Sequence, residues 1–117
     1  MSEQSLDLKE FLDRVQDDKE LLLELLDIFS KDFKEKRKHL DSAVKSKDYE
    51  QLRSIAHSVK GASGNISAKA VRAICMTLED MGKNQHLNGI EQLLVDLDKQ
   101  FEILQGRITE IKDEFKA

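Results

Sequence analysis

The sequence lacks proline and contains a single cysteine among its 117 residues. A β-rich chain of this length normally uses proline in its turns, so the absence favours long, uninterrupted helices. With only Cys75 available, an intrachain disulfide is excluded and no cysteine zinc cluster can form. Because Cys75 falls on the apolar stripe of a predicted helix, we interpret it as a small core residue rather than a reactive thiol.

Long hydrophobic runs are also missing. The longest run of adjacent apolar residues in the first half is Leu21–Leu23, far short of the roughly 20 residues that span a bilayer. Residues 1–16 carry acids and have no apolar signal-peptide core. We therefore expect a soluble cytoplasmic protein with no membrane partner. The net charge of −4 argues against nucleic acid as a partner. The basic segment 31–39 is interleaved with acids, which is typical of a solvated helix face and indicates an acidic-protein docking surface only weakly.

Charged residues and a helical periodicity of the apolar residues are the main features of the sequence. Hydrophobic residues make up 39% of the chain and charged residues 36%, with apolar positions recurring at steps of three and four. Capping-box patterns lie at 17–20, 48–51 and 88–91. We expect residues 1–5 to be frayed. The predicted helices cover 7–16, 18–46, 48 to about 65, a segment from an N-cap at Ser67 to a terminating Gly82, and 88 to about 115.

These helices predict one all-α domain that covers residues 1–117. Substantial helices joined by short connections pack as antiparallel neighbours, so the expected architecture is an antiparallel up-down-up-down four-helix bundle with a short N-terminal extra helix. One bundle can satisfy all the apolar stripes, and we therefore expect a monomer. A dimer that exchanges helices would use the same stripes and stays an alternative.

One segment departs from the agreement between helix propensity and apolar periodicity that holds in the rest of the chain. On a helical wheel His57 points roughly 140° away from the apolar face of its helix, so it should stand in water. Gly61 and Gly64 follow at i+4 and i+7 on the same face, and Lys60 flanks it at i+3. A helix-interior glycine costs about 0.5–1 kcal/mol relative to alanine, so two on one exposed face indicate a bare surface for close approach by another molecule. The core face of this helix consists of Leu52, Ile55, Ala56, Val59, Ser63 and Ile66.

Several kinds of site do not fit this pattern. The three histidines, His39, His57 and His86, lie on different predicted elements, so no metal site is expected. A slender bundle offers no visible cleft or oxyanion hole for a hydrolase, and the glycines do not form a phosphate-binding loop. A phosphoryl carrier needs only a reachable imidazole, with Lys60 to offset phosphate charge, because the partner can supply the metal ion and the geometry.

The segment Ala56-His57-Ser58-Val59-Lys60-Gly61 resembles the A-H-x-φ-K-G signature, where φ is apolar, of histidine-containing phosphotransfer (HPt) domains of bacterial phosphorelays. The segments Asn65-Ile66-Ser67-Ala68 and Cys75-Met76-Thr77-Leu78-Glu79 are similar to the family's N-L-G-A and C-x-x-L-E. Ser67 stands where the family usually has glycine.

The resemblance implies a four-helix bundle that carries a phosphoryl group on His57 between aspartates of receiver domains. Those partners would belong to response regulators and a hybrid histidine kinase and would supply Mg²⁺, so the chain itself would need no cofactor. Lys60 and Gly61 match supporting residues of the family, and Lys60 would neutralise phosphate charge. Arg53, Gly61 and Gly64 are assigned to partner docking, and for Gly64 this assignment comes from its place on the helical wheel and not from the resemblance. Without a nucleotide-binding motif, the chain is expected to be a phosphocarrier and not an enzyme.

Three alternatives are weighed from the sequence. A phosphotransfer domain of the chemotaxis-kinase type would share the bundle and the exposed histidine, but its kinase is expected to follow in the same chain. A helical adaptor could dock a receiver or kinase domain through the same bare face without carrying phosphate. A fragment of a larger hybrid kinase is disfavoured by the start at Met1 and by the absence of a linker at either end.

Overall fold

The computed structural model describes residues 2–116 of the chain, with side chains from residue 4 onward. Its regular structure is entirely helical over these residues. Two short helices precede four long ones. The elements are α1 (Ser2–Ser5), α2 (Leu8–Arg14), α3 (Lys19–Lys45), α4 (Tyr49–Asn65), α5 (Lys69–Asn84) and α6 (Ile90–Lys116).

The four long helices form the predicted antiparallel bundle, which is 46 Å long and 21 Å across. Helix α4 packs against α3 and most extensively against α5, and α6 packs against α5 and α3. Their apolar stripes meet in one core, in which Phe33 and Phe101 stack with ring centroids 4.0 Å apart. Cys75 is fully buried in this core, and burial raises the pKa of its thiol to about 12. The prediction that Cys75 is a core residue is confirmed.

Aspartate side chains start three of the helices. Asp7, Asp18 and Asp48 each accept a hydrogen bond from the backbone N–H three residues on, which satisfies a donor that the first helical turn leaves unpaired. The caps at Asp18 and Asp48 confirm the predicted starts of α3 and α4. The first helices differ from prediction: Ser2–Ser5 is one helical turn with Ser5 buried, not a frayed end, so two short helices precede the bundle instead of one.

Ser67 does not cap α5, contrary to the prediction. Its φ is +61°, the N-cap is Ala68, and no side chain bonds to the first turn of α5. The Ser67 hydroxyl instead donates to Glu10 Oε1 of α2 at 2.7 Å. A left-handed backbone favours glycine, so the turn has the conformation that the usual family residue would adopt freely. Here the hydrogen bond to α2 and burial hold the serine in place.

Gly82 does not end α5 either. The helix continues to Asn84, and Gln85 adopts the left-handed conformation that closes it. Gly82 is buried inside the helix, where an added Cβ would lie 2.7 Å from the backbone nitrogen of Arg53. Its physical role is therefore to let α4 and α5 approach closely. At the next connection α6 begins at Ile90, after Gly89 at φ +79°, rather than at the predicted Asn88.

No helix within residues 2–116 is long and apolar enough to cross a membrane.

Candidate functional site

His57 lies on the solvent side of α4, as predicted. Its side chain is 68% exposed. The opposite face of the helix is buried in the core through Leu52, Ala56 and Val59, at most 2% exposed, so the periodicity of α4 fixes the direction of the imidazole. The other two histidines have different settings: His39 is an exposed residue of α3 beside Glu35, and His86 lies in the α5–α6 connection.

A carboxylate from the neighbouring helix holds the imidazole. Glu79 of α5 places Oε2 2.8 Å from Nδ1 of His57 and Oε1 2.6 Å from Nζ of Lys60. Glu79 is only 18% exposed, whereas the imidazole that it contacts is largely in water. The three side chains thus form a chain of charge-assisted hydrogen bonds across the α4–α5 interface, with Glu79 as the shared acceptor.

The charge state of Glu79 sets the tautomer of His57. The hydrogen bond from Lys60 and then that from His57 hold the pKa of the Glu79 carboxyl below its usual value, against the opposing effect of burial. An ionised carboxylate can only accept hydrogen bonds, so Nδ1 of His57 must carry a proton. In the neutral ring Nε2 then has the free lone pair, and Nε2 is the nitrogen that Glu79 leaves uncovered.

The predicted docking residues have different surroundings. An added Cβ at Gly61 would meet nothing within 4 Å, so this position is open surface one turn from His57. At Gly64 an added Cβ would come within 3.3 Å of Nε of Arg72, so this glycine provides room for an arginine of α5. Arg53 is exposed on the other side of His57, beside Glu50 and Ser54.

An open groove of about 580 Å³ is lined in part by Lys60 and Gly61. It lies between the end of α4, the start of α5 and the short helix α2. Arg14 of α2 closes one side by donating to the backbone oxygens of Gly64 at 2.6 Å and Asn65 at 2.8 Å. These carbonyls belong to the last turn of α4, where the helix itself leaves oxygens unpaired, and the Gly64 oxygen also accepts the backbone N–H of Ser67 at 3.1 Å. Arg14 thus helps to cap α4 and ties α2 to the bundle.

Glu79 is the site residue that the wheel analysis of α4 did not find. It lies on another helix, 22 residues away, and a single-helix wheel cannot place residues of a second helix. A signal was nevertheless present, because Glu79 ends the C-x-x-L-E segment that resembles the family pattern. Among the residues that the structure describes, no group of three or more His, Cys, Asp or Glu side chains is arranged to hold a metal ion.

Comparison with known proteins agrees with this geometry. The family model for the Hpt domain matches residues 24–114. The structure of histidine-containing phosphotransfer protein B (HptB) from Pseudomonas aeruginosa PAO1 superimposes with a TM-score of 0.86 at 25% sequence identity, covering 94% of this chain and 96% of that one. A comparison with curated protein sequences found no match.

The family match covers most of the chain, and the match to the similar structure covers 94% of it. The resemblance found in the sequence around His57 is therefore confirmed at the level of the family. The chain belongs to the Hpt domain family, the histidine phosphotransfer proteins of two-component phosphorelays.

Proposed function

We propose that His57 accepts a phosphoryl group from an aspartyl phosphate of one receiver domain and passes it to an aspartate of another. The observation that carries this proposal is the hydrogen bond from His57 Nδ1 to Glu79, which leaves Nε2 free on a ring that is 68% exposed. An exposed neutral imidazole with one nitrogen committed and the other free is suited to nucleophilic attack by the free nitrogen.

The proposed transfer is a displacement at phosphorus. The Nε2 lone pair forms the P–N bond as the bond from phosphorus to the donor aspartate oxygen breaks, and the carboxylate leaves with that electron pair. The ring keeps its Nδ1 proton and becomes positively charged, and the Glu79 carboxylate balances this charge through the existing hydrogen bond. In the return step an acceptor carboxylate attacks phosphorus and the P–N electron pair goes back to Nε2.

Lys60 supplies a second interaction. Its ammonium group lies beside Glu79, is 25% exposed and is one helical turn from His57. A flexible lysine there can offset the charge of the phosphoryl group, which carries about −2 at neutral pH. We propose that Mg²⁺ comes with the receiver domain, since phosphoryl transfer depends on positioning and charge neutralisation that either protein can supply.

The same proposal defines the role of the chain in a phosphorelay. The partners are receiver domains of response regulators and of a hybrid histidine kinase, and the chain acts as a cytoplasmic, monomeric carrier rather than a kinase. The sequence contains no nucleotide-binding motif that could make it phosphorylate itself from ATP.

Labelling by phosphorylated receiver domains tests the proposal. The protein is incubated with each member of a receiver panel and analysed by intact mass, followed by peptide mapping. The expected result is a gain of one phosphoryl group on His57 that is acid-labile and base-stable, with His39 and His86 unmodified. Binding of a receiver without any phosphoryl adduct would instead support the adaptor function.

Glu79→Gln is expected to slow phosphorylation of His57 by about tenfold or more, because the amide can donate to Nδ1 and favour the tautomer with its proton on Nε2. Transfer rates and the ¹⁵N NMR shifts of the imidazole are measured together. Glu50→Gln is the matched control, since Glu50 lies near His57 without contacting Nδ1. Unchanged ring shifts in Glu79→Gln would contradict a positioning role for Glu79.

Gly61→Ala is expected to have opposite effects on stability and transfer. The added methyl group meets nothing within 4 Å. Alanine should therefore raise the free energy of unfolding by about 0.5–1 kcal/mol through helix propensity. The same methyl group projects into the surface beside His57, so transfer from a receiver should slow. Thermal unfolding and transfer rates, measured on one preparation, test the expected gain in stability and the expected loss in transfer rate. Faster or unchanged transfer would show that Gly61 is not part of the docking surface.

A further inference from the structure

Arg72 lies on the surface that the proposed function assigns to the partner, and no step of phosphoryl transfer uses it. We propose that Arg72, seated over Gly64, is a specificity-determining residue that pairs with a carboxylate on the receiver domain docked at His57. This inference rests on the proposed function.

The position of Arg72 depends on the glycine of α4. Its Nε and Cδ lie 3.3 and 3.4 Å from where a Cβ of residue 64 would be, so the side chain rests on α4 at a position where that helix has no side chain. One end of the guanidinium, Nη1, is 3.8 Å from the sulfur of Met76. Met76 is itself 45% exposed. An arginine and an apolar side chain adjacent on open surface are typical of protein interfaces.

The other cations of the groove already have partners. Lys60 pairs with Glu79 at 2.6 Å, and Lys69 pairs with Asp7 at 3.2 Å. Arg14 donates to backbone carbonyls at the end of α4. Among the described residues no carboxylate pairs with Arg72, although the chain carries a net charge of −4. Arg72 is thus the groove cation that remains available to a partner.

The distance from His57 places Arg72 within the contact area of a docked protein. Gly64 is seven residues from His57, or about 10 Å along α4. An interface of ordinary size buries about 800 Å² per partner, a patch about 30 Å across, so a receiver centred on His57 would cover Arg72 near its edge. A charge pair at the edge of an interface affects the association rate and its salt dependence more than the chemistry at the centre. A carboxylate is the chemical group that matches the fork of guanidinium donors.

The test uses the receiver domain that loads wild-type protein in the labelling experiment. The rate constant kcat/KM for transfer is measured at low and high salt for wild type, Arg72→Lys, Arg72→Gln and Arg72→Glu. At low salt we expect a decrease of about threefold for Arg72→Gln and about tenfold for Arg72→Glu, with Arg72→Lys nearer to wild type. The differences should shrink at about 0.5 M salt, where the Debye length falls to a few ångströms.

Two controls separate docking from other effects. Lys99→Glu changes the net charge by the same amount on exposed surface of α6, a helix that packs against α5 and α3, and should leave transfer nearly unchanged. Labelling by phosphoramidate, a small phosphodonor that needs no docking surface, should be equal in all variants.

The outcomes distinguish the two proposals. Four results would overturn the role of Arg72 while leaving His57 as the acceptor. The first two are a wild-type transfer rate in Arg72→Glu at low salt, and a decrease in that variant that is equal at both salt concentrations. The other two are an equal decrease of the transfer rate in Lys99→Glu, and a loss of phosphoramidate labelling in the Arg72 variants. Failure of every receiver to load wild-type protein would overturn the proposed function and the inference together.

Discussion

His57→Gln is expected to abolish phosphoryl loading from every receiver domain. Glutamine can occupy a similar position on the surface of α4 but has no nitrogen lone pair able to attack phosphorus, because its amide nitrogen is a donor. The wild-type protein should gain one phosphoryl group and the variant none. No other residue is expected to take the place of His57. Glu79 lies 2.8 Å from Nδ1 of His57, whereas the carboxylate near His39, that of Glu35, is 4.0 Å away on the Nε2 side, and no ion pair of His86 is found among the described residues.

The fold should survive this substitution. His57 is largely exposed, and substitutions at such positions usually change the free energy of unfolding by no more than about 0.5 kcal/mol. Circular dichroism and receiver binding should therefore match wild type. His39→Gln and His86→Gln serve as matched controls and should load normally. If His57→Gln gained a phosphoryl group, or if either control variant failed to gain one, the phosphoryl acceptor would be a residue other than His57.

Gly82→Ala is expected to destabilise the bundle, although alanine is the better helix former. The new methyl group would lie 2.7 Å from the backbone nitrogen and 2.9 Å from Cα of Arg53, and backbone atoms cannot move aside as a flexible side chain can. Overpacking of this kind typically costs about 1–3 kcal/mol, more than the gain of about 1 kcal/mol from helix propensity. The net loss of up to about 2 kcal/mol should lower the melting temperature by up to roughly 8 °C.

The matched control is Gly106→Ala in α6. Gly106 is also within a helix, but an added Cβ there meets nothing within 4 Å, so the same substitution should stabilise by about 0.5–1 kcal/mol. Opposite shifts in the two melting temperatures would identify close packing of α4 on α5 as the reason for Gly82. Equal stabilisation of both variants would contradict the clash.

Gly82→Ala should also slow transfer. Arg53 is one turn before His57 on α4, and Gly82 is three residues after Glu79 on α5, so separating these helices at Gly82 lengthens the contact between His57 and Glu79. A loss of stability without any change in the transfer rate would show that the strain is absorbed at the end of α5 instead.

The exposed face of α4 could be predicted from sequence because it depends on local periodicity alone. Once Leu52, Ala56 and Val59 are buried, the direction of His57 follows from the geometry of one helix. The lengths of the helices and their short connections predicted the bundle, and the resemblance to Hpt domains supplied the family. The open surface at Gly61 also follows from position on α4.

Two of the wrong predictions, at Gly82 and Ser67, share a physical cause, which is contact between helices. Gly82 was expected to end a helix because glycine commonly does so, yet here its lack of a side chain serves the approach of α4. Ser67 was expected to cap because serine commonly does so, yet its hydroxyl bonds to Glu10 of α2. The second role of Gly64, making room for Arg72, depends in the same way on a residue of another helix.

The placement of His57, Lys60 and Gly61 on one side of one helix has a kinetic consequence. A carrier with a single reactive face cannot bind donor and acceptor at once, so on the proposed function its steady-state kinetics should follow a ping-pong pattern. Each receiver must then dissociate before the next can bind. An unphosphorylated receiver in excess would occupy the unloaded carrier and act as a competitive inhibitor of its loading, so the relative abundance of the two receivers would set the flux through the relay.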